Sequence, residues 1–299
     1  MPTPKSSRST STSTSLPPDG LANSGPAVAD LNPQAKQMAD ESMVRNLQAQ
    51  AQAIWPQEVA LVRRYHLPPA ARILDAGCGT GEISSRLAEL FPEATVLGVD
   101  IVDAHLDLAR ARYAALASRL SFEHRSIFEL GLPAGTFDLT ACRHVVHSVP
   151  HAERVYAELR RVTKRGGYLH LIPEDYGMLE FQHGGGRNPR DFWYRVPEQF
   201  GENTETDLFI GRNTYTILRT LGFDEILVDY VIVDPLRAPR ETFAQILTAW
   251  RDGYCDSIGE LTEISAIEAA EYFNAMIENV RRPDGYAVWF VPVVCARVV

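Results

Sequence analysis

Two short runs carry side chains able to move a proton or hold a charge: Arg143-His144-Val145-Val146-His147-Ser148 and Pro173-Glu174-Asp175-Tyr176. Histidine titrates near neutral pH, so His144 or His147 could act as a general base toward a bound phenol or enol. The alternative for each is a hydrogen-bonded structural histidine. Glu174 and its neighbour Asp175 suit a cationic amine or the orientation of a hydroxyl, unless both are solvated loop acids. Cys142, His144, His147 and His151 also lie at metal-ligand spacings. The first belongs to a strand and the rest run into a helix start, so they should not converge on one ion, and no metal is expected.

A third run must supply the surface on which such groups work. Ile73-Leu74-Asp75-Ala76-Gly77-Cys78-Gly79-Thr80-Gly81-Glu82 is an apolar strand pattern, an acid, a glycine turn and the start of a helical pattern. Glycine lets backbone take positive φ and lets a ligand lie against it, while the N–H groups opening the next helix face that ligand. This is the layout of a nucleotide-type site at the end of a parallel strand. A dinucleotide fingerprint, G-x-G-x-x-G, needs glycine at position 82, where this chain has Glu82.

The elements that would hold these runs alternate. Strands are expected at 72–76, 95–100, 121–125, 137–142, 168–172, 225–233 and 286–298, with helices at 82–91, 103–117, 151–164 and near 212–221. Alternation of this kind gives a parallel sheet with crossover helices, and its ligands bind outside the carboxyl ends of the strands. Residues 1–34, rich in Ser, Thr and Pro, read as a disordered tail. Lys5, Arg8 and the hydroxyls around them would also suit an organelle transit peptide, although no amphipathic helix is evident. Residues 35–66 read as N-terminal helices, interrupted at Pro56, that pack on the sheet edge or close over the site as a lid. Residues 67–299 form the main domain, with excursions at about 176–210, including Gly184-Gly185-Gly186, and at about 239–282, where a second helix runs from Thr262. Excursions of that length usually serve the site or thicken the packing around it.

Composition narrows the classes. The 299 residues are 45% hydrophobic and 22% charged, with a net charge of -9. That describes a soluble globular chain, and an acidic one without a Lys/Arg cluster is poorly suited to nucleic acid. The four cysteines form no C-x-x-C pair, and no apolar run approaches membrane-span length. A cytoplasmic location with reduced thiols is expected.

Led by Asp75, the G-x-G-x-G run resembles motif I of the class I S-adenosylmethionine-dependent methyltransferases, and the resemblance covers most of 70–175. Leu132-Pro133-Ala134-Gly135-Thr136-Phe137-Asp138 and Arg161-Val162-Thr163-Lys164-Arg165-Gly166-Gly167 resemble the ubiquinone/menaquinone C-methyltransferase group, with Arg165 where proline is common. The resemblance implies an α/β, Rossmann-like, doubly wound seven-stranded mostly parallel sheet with helical cap insertions, its last strand antiparallel. It implies S-adenosyl-L-methionine as cofactor, bound by Asp75, Gly77, Gly79, Gly81, Asp100, Ile101, Ser126, Ile127, Arg143 and His144. Asp100 would take the ribose hydroxyls. Ser126 stands where the family usually has an aspartate for the adenine amino group, so Glu129 is a candidate to compensate. The implied reaction is SN2 methyl transfer to a small-molecule metabolite, with His144, His147 and Glu174 as candidate catalytic residues. A protein or nucleic-acid methyltransferase, a nicotinamide-dependent oxidoreductase and a non-catalytic S-adenosylmethionine-binding protein are the competitors. The amino-methylating DNA enzymes carry [Asn/Asp]-Pro-Pro-aromatic where this chain has Arg143-His144-Val145-Val146. The sequence sets no oligomeric state; a dimer is compatible with a cap of this kind.

Overall fold

A computed structural model of the protein describes residues 32–182 and 187–299. The expected tail up to residue 31 and the Gly184-Gly185-Gly186 run lie outside the described residues. The chain begins with helices α1 (Ala35–Met38) and α2 (Glu41–Val62) and then alternates: β1 (Arg72–Ala76), α3 (Glu82–Leu90), β2 (Thr95–Asp100), α4 (Asp103–Arg112), β3 (Leu120–His124), β4 (Phe137–Arg143), α5 (Ala152–Val162) and β5 (Thr163–Ile172). A second half follows with β6 (Leu179–Phe181), α6 (Pro189–Thr204), α7 (Ile210–Thr220), β7 (Ile226–Val233), α8 (Arg240–Leu261), α9 (Ala266–Arg281) and β8 (Ala287–Arg297).

The strands make one eight-stranded sheet in the order β3-β2-β1-β4-β5-β8-β6, with β7 also on β8. Pairs among β1 to β5 are parallel, and β8 runs antiparallel to β5, β6 and β7. This is the expected doubly wound sheet plus one short strand. β8 is long enough for Tyr168–Leu171 of β5 and then β6 to share one of its edges while β7 takes the other. Strand order reverses between β1 and β4, and the crevice at that switch point receives the glycine turn.

Three boundaries differ from expectation for physical reasons. Pro56 does not interrupt α2, which runs unbroken from Glu41 to Val62. A proline removes one backbone donor, and here buried Ile54, Glu58 and Val62 on either side hold the helix in place. Helix α9 begins at Ala266, not Thr262, because Ser265 caps it by accepting from the Glu268 amide at 3.2 Å, a Ser-x-x-Glu capping arrangement. β5 begins at Thr163, with the register against β4 shifting between Phe137 and Leu139. The extra residues of that bulge include Gly166, whose φ of 82° suits glycine.

Both excursions and α2 fold into one cap. Ile54 of α2, Phe192 and Trp193 of α6, Trp250 of α8 and Phe273 of α9 share a buried cluster with Trp289 of β8. Two further clusters fill the faces of the sheet beneath. Among the described residues no helix is long and apolar enough to cross a membrane.

Candidate functional site

The glycine turn leaves β1 with Gly77 at φ 75° and Gly79 at φ 50°. Neither position has room for a side chain: a Cβ on Gly77 would sit 2.3 Å from a Val145 methyl, and one on Gly79 2.6 Å from Leu47. The turn is fastened to β2 through amides. Gly77 and Cys78 donate to the Val99 carbonyl at 2.8 and 2.9 Å. Gly79 donates to Asp100 Oδ2 at 2.8 Å, and Val102 donates to Asp100 Oδ1 at 3.0 Å.

A cavity opens over this turn. It is lined by Gly77, Gly79, Asp100, Ile101, Ser126 and Ile127, and Arg143 and His144 close one end. An adjoining pocket at that end holds Asp75 and Thr80. Asp75 is buried and accepts from Ser84 Oγ at 2.6 Å, yet burial pushes its carboxyl up to about 6. Gly81 is the one expected cofactor residue that lines neither pocket. It precedes α3 at φ 78° with Phe122 and Ala109 against it, so it serves helix packing instead. Glu129 is exposed and stands outside the cavity, whereas Arg125 lines it. Ser126 Oγ already accepts the Phe128 amide at 3.3 Å, the turn that carries Glu129 away.

The expected catalytic residues come together. His144 Nδ1 lies 2.6 Å from Glu174 Oε1, and His147 Nε2 lies 3.5 Å from Glu174 Oε2. All three are buried. Burial alone would raise the Glu174 carboxyl, but the neighbouring histidines outweigh it and hold the group at about 2. Burial lowers His147, which favours the neutral ring. His144 sits at φ 56°, a strained backbone for a non-glycine residue, and its amide is held by the Ile172 carbonyl at 2.9 Å. Asp175 does not join the pair. Both its oxygens are taken by the Arg212 guanidinium, at 2.7 and 2.6 Å.

Several site residues carry no sequence signal of their own. Gln50 of α2 donates to Glu174 Oε1 at 3.1 Å. Glu58, also on α2, accepts Arg143 in bidentate fashion at 2.8 and 2.7 Å and lies 2.9 Å from His170 Nε2. His170 in turn meets the Tyr65 hydroxyl at 2.7 Å. Burial would raise Glu58, but the Arg143 charge and the His170 contact prevail and bring it to about 2. His105, buried at the cavity wall, was also missed. Among the described residues no group of three His, Cys, Asp or Glu side chains is placed to hold a metal ion, and His151 is exposed.

Comparison with known proteins agrees with this layout. Residues 73–167 match a family profile described as a methyltransferase domain. Trans-aconitate 2-methyltransferase of Deinococcus radiodurans is 40% identical over 101 residues, covering 34% of this chain and 37% of that protein. Demethylmenaquinone methyltransferase of the same organism is 31% identical over 138 residues, covering 43% and 56%. The matched stretch spans 25% to 56% of the first such relatives, so the likeness is to their shared domain. Phosphoethanolamine N-methyltransferase 2 of Haemonchus contortus, solved with S-adenosyl-L-methionine, superposes with a TM-score of 0.54 at 17% identity, covering 87% of this chain and 59% of that one. At that identity the likeness is one of fold. Residues 73–167 are therefore similar to a methyltransferase domain, and this part of the chain resembles the ubiquinone/menaquinone C-methyltransferase group.

Proposed function

We propose that the protein transfers a methyl group from S-adenosyl-L-methionine to a small-molecule acceptor. The observation that carries this reading is that His144 borders both the cavity over the glycine turn and the buried pocket under the cap. A cofactor group and an acceptor group can therefore meet at one side chain.

The residues present fit the cofactor. Gly77 and Gly79 line the cavity with backbone alone, held at positive φ where Val145 and Leu47 leave no room for a Cβ. The Asp100 carboxylate spends one bond per oxygen on amides, so lone pairs remain for the two ribose hydroxyls. Ile101 and Ile127 offer apolar surface for the adenine, and Ser126 a weak polar contact. At the other end Asp75 and Arg143 suit the amino and carboxylate groups of the amino-acid portion. Bound there, S-adenosyl-L-methionine supplies an electrophilic methyl group on a sulfonium cation. The protein's share is alignment, exclusion of water by the cap, and removal of a proton where the acceptor has one. His144 Nε2 is the base, and Glu174 on Nδ1 holds the tautomer and stabilises the imidazolium that forms.

A nicotinamide oxidoreductase is disfavoured because Glu82 occupies the position of the third fingerprint glycine and pairs with Arg112. The four cysteines are free, which supports a cytoplasmic setting. The test is calorimetric titration with S-adenosylhomocysteine and, separately, NADH, followed by transfer of labelled methyl from S-adenosyl-L-methionine to a metabolite extract. Heat with NADH alone would sink the proposal. Cofactor binding without label transfer would favour a non-catalytic binder.

A further inference from the structure

The acceptor pocket asks for hydrogen-bond donors. Asn46 Oδ1, Gln50 Oε1, His144 Nε2, His147 Nδ1 and Glu174 Oε2 are buried without a hydrogen-bond partner among the described residues, and all five residues line one pocket under the cap. Their roles follow from what holds the other end of each side chain. Gln50 gives its amide nitrogen to Glu174 Oε1, which leaves its oxygen inward. His144 must carry its proton on Nδ1 to face Glu174 at 2.6 Å, leaving a lone pair on Nε2. His147 Nε2 lies 3.5 Å from Glu174 Oε2 without closing a hydrogen bond, so His147 Nδ1 is free to accept or donate as the ligand requires. Asn46 Oδ1, Gln50 Oε1, His144 Nε2 and Glu174 Oε2 are then four acceptors on one pocket, one of them an oxygen of a carboxylate. Buried polar atoms left unpaired are costly, so the pocket is built for a ligand that brings several N–H groups.

The walls add to the argument. Tyr176, Trp250 and Tyr254 border the same pocket and join it to an aromatic chamber containing Trp193. Tyr176 stacks on Trp193 at 5.5 Å with their planes 8° apart, and meets Trp250 edge-on at 5.5 Å. Aromatic faces attract cations, and they also suit a flat apolar body. Burial raises both tyrosine hydroxyls, so neither adds negative charge. Arg143 lines the adjoining cavity, not this pocket, and is paired there with Glu58. Within the pocket the Glu174 carboxylate meets its two histidines, the Gln50 amide and the Tyr176 hydroxyl, and no Lys or Arg side chain.

We propose that the acceptor is an amine carried on an aromatic or apolar body, and that the protein is an N-methyltransferase. This rests on the transferase reading above. A phenol or alcohol offers one donor to four acceptors, whereas an ammonium offers up to three and neutralises the carboxylate. In the reaction the ammonium passes one proton to His144 Nε2, giving a neutral amine and an imidazolium paired with Glu174. The amine lone pair then forms the N–C bond as the C–S bond breaks, its electron pair staying on sulfur as the neutral thioether. The methylated product leaves as an alkylammonium, and the imidazolium proton returns to water.

The experiment uses the full chain saturated with S-adenosylhomocysteine. Benzylamine, 2-phenylethylamine and tryptamine are compared by calorimetry with their alcohol counterparts. At least one amine should bind about tenfold or more tighter than its alcohol, because only the amine makes charge-assisted bonds. Glu174→Gln should shrink that ratio to about threefold or less, and labelled methyl should appear on the amine nitrogen. Alcohols binding as tightly as amines, or no amine binding while S-adenosylhomocysteine binds, overturns the amine assignment. Should Glu174→Gln fail to fold, the unmodified protein's amine-to-alcohol ratio decides alone. Failure to bind S-adenosylhomocysteine overturns the transferase reading itself, and the amine with it.

Discussion

Asp100→Asn isolates what the second-strand acid does. A carboxylate has about four lone-pair sites, two of which here take the Gly79 and Val102 amides. The other two are assigned to the ribose hydroxyls. Asparagine keeps one oxygen, which can hold one amide, and turns an NH2 toward the other. Each ribose bond falls from a charged bond of about 1.5–3 kcal/mol to a neutral one of about 0.5–1.5 or to none. Two bonds together lose about 2–4 kcal/mol, or roughly 30- to 1000-fold in affinity. The assay is titration of S-adenosylhomocysteine by calorimetry, with the melting temperature measured on the same samples to separate folding from binding. An Asp100→Asn protein that folds and binds within about threefold of the parent would refute the ribose assignment.

Three further outcomes follow from the buried groups. Glu58→Gln leaves Arg143 without its charged partner in a dry interior, so unfolding free energy should fall by about 3–5 kcal/mol in chemical denaturation. Asp75 has its folded value raised from 3.8 to about 6, so its contribution to stability is present below its unfolded value and is lost as pH rises through 6. Between pH 4 and 7 the parent should therefore lose about 2.4 kcal/mol relative to Asp75→Asn, read as the difference of two denaturation series. Glu58 and Glu174, both depressed, act in the opposite sense, but only as pH falls from about 4.5 toward about 2. Finally, Pro56 deprives α2 of one backbone donor just before Glu58 pins it, so amide exchange should be faster over residues 41–52 than over 57–62. Equal rates would show that the donor missing at Pro56 does not loosen the first half of α2.

Chemistry carried by contiguous residues was legible in the sequence, and chemistry assembled across the chain was not. Asp75 to Gly81, Asp100 and the His144-to-His147 run declare themselves because a turn, a strand end and a spacing are local. The pairing of His144 with Glu174 was within reach, since both follow strands that a parallel sheet brings side by side. Gln50 and Glu58 were not. They are two among many polar residues of α2, with nothing local to single them out, and their partners lie 124 and 85 residues away. Glu129 misled because residue spacing ignored the tight turn at Ser126. Asp175 misled because an adjacent acid points to the other side of an extended chain, where Arg212 waits.

The first turns of α2 have a consequence for ligand binding. Leu47 borders the cavity over the glycine turn and the pocket beneath the cap alike, and Gln50 borders that pocket and the one at Asp75. One stretch of helix is thus a wall common to neighbouring chambers. A side chain changed at Leu47 or Gln50 touches two of them at once, so a ligand seated in one is expected to alter the affinity of the other.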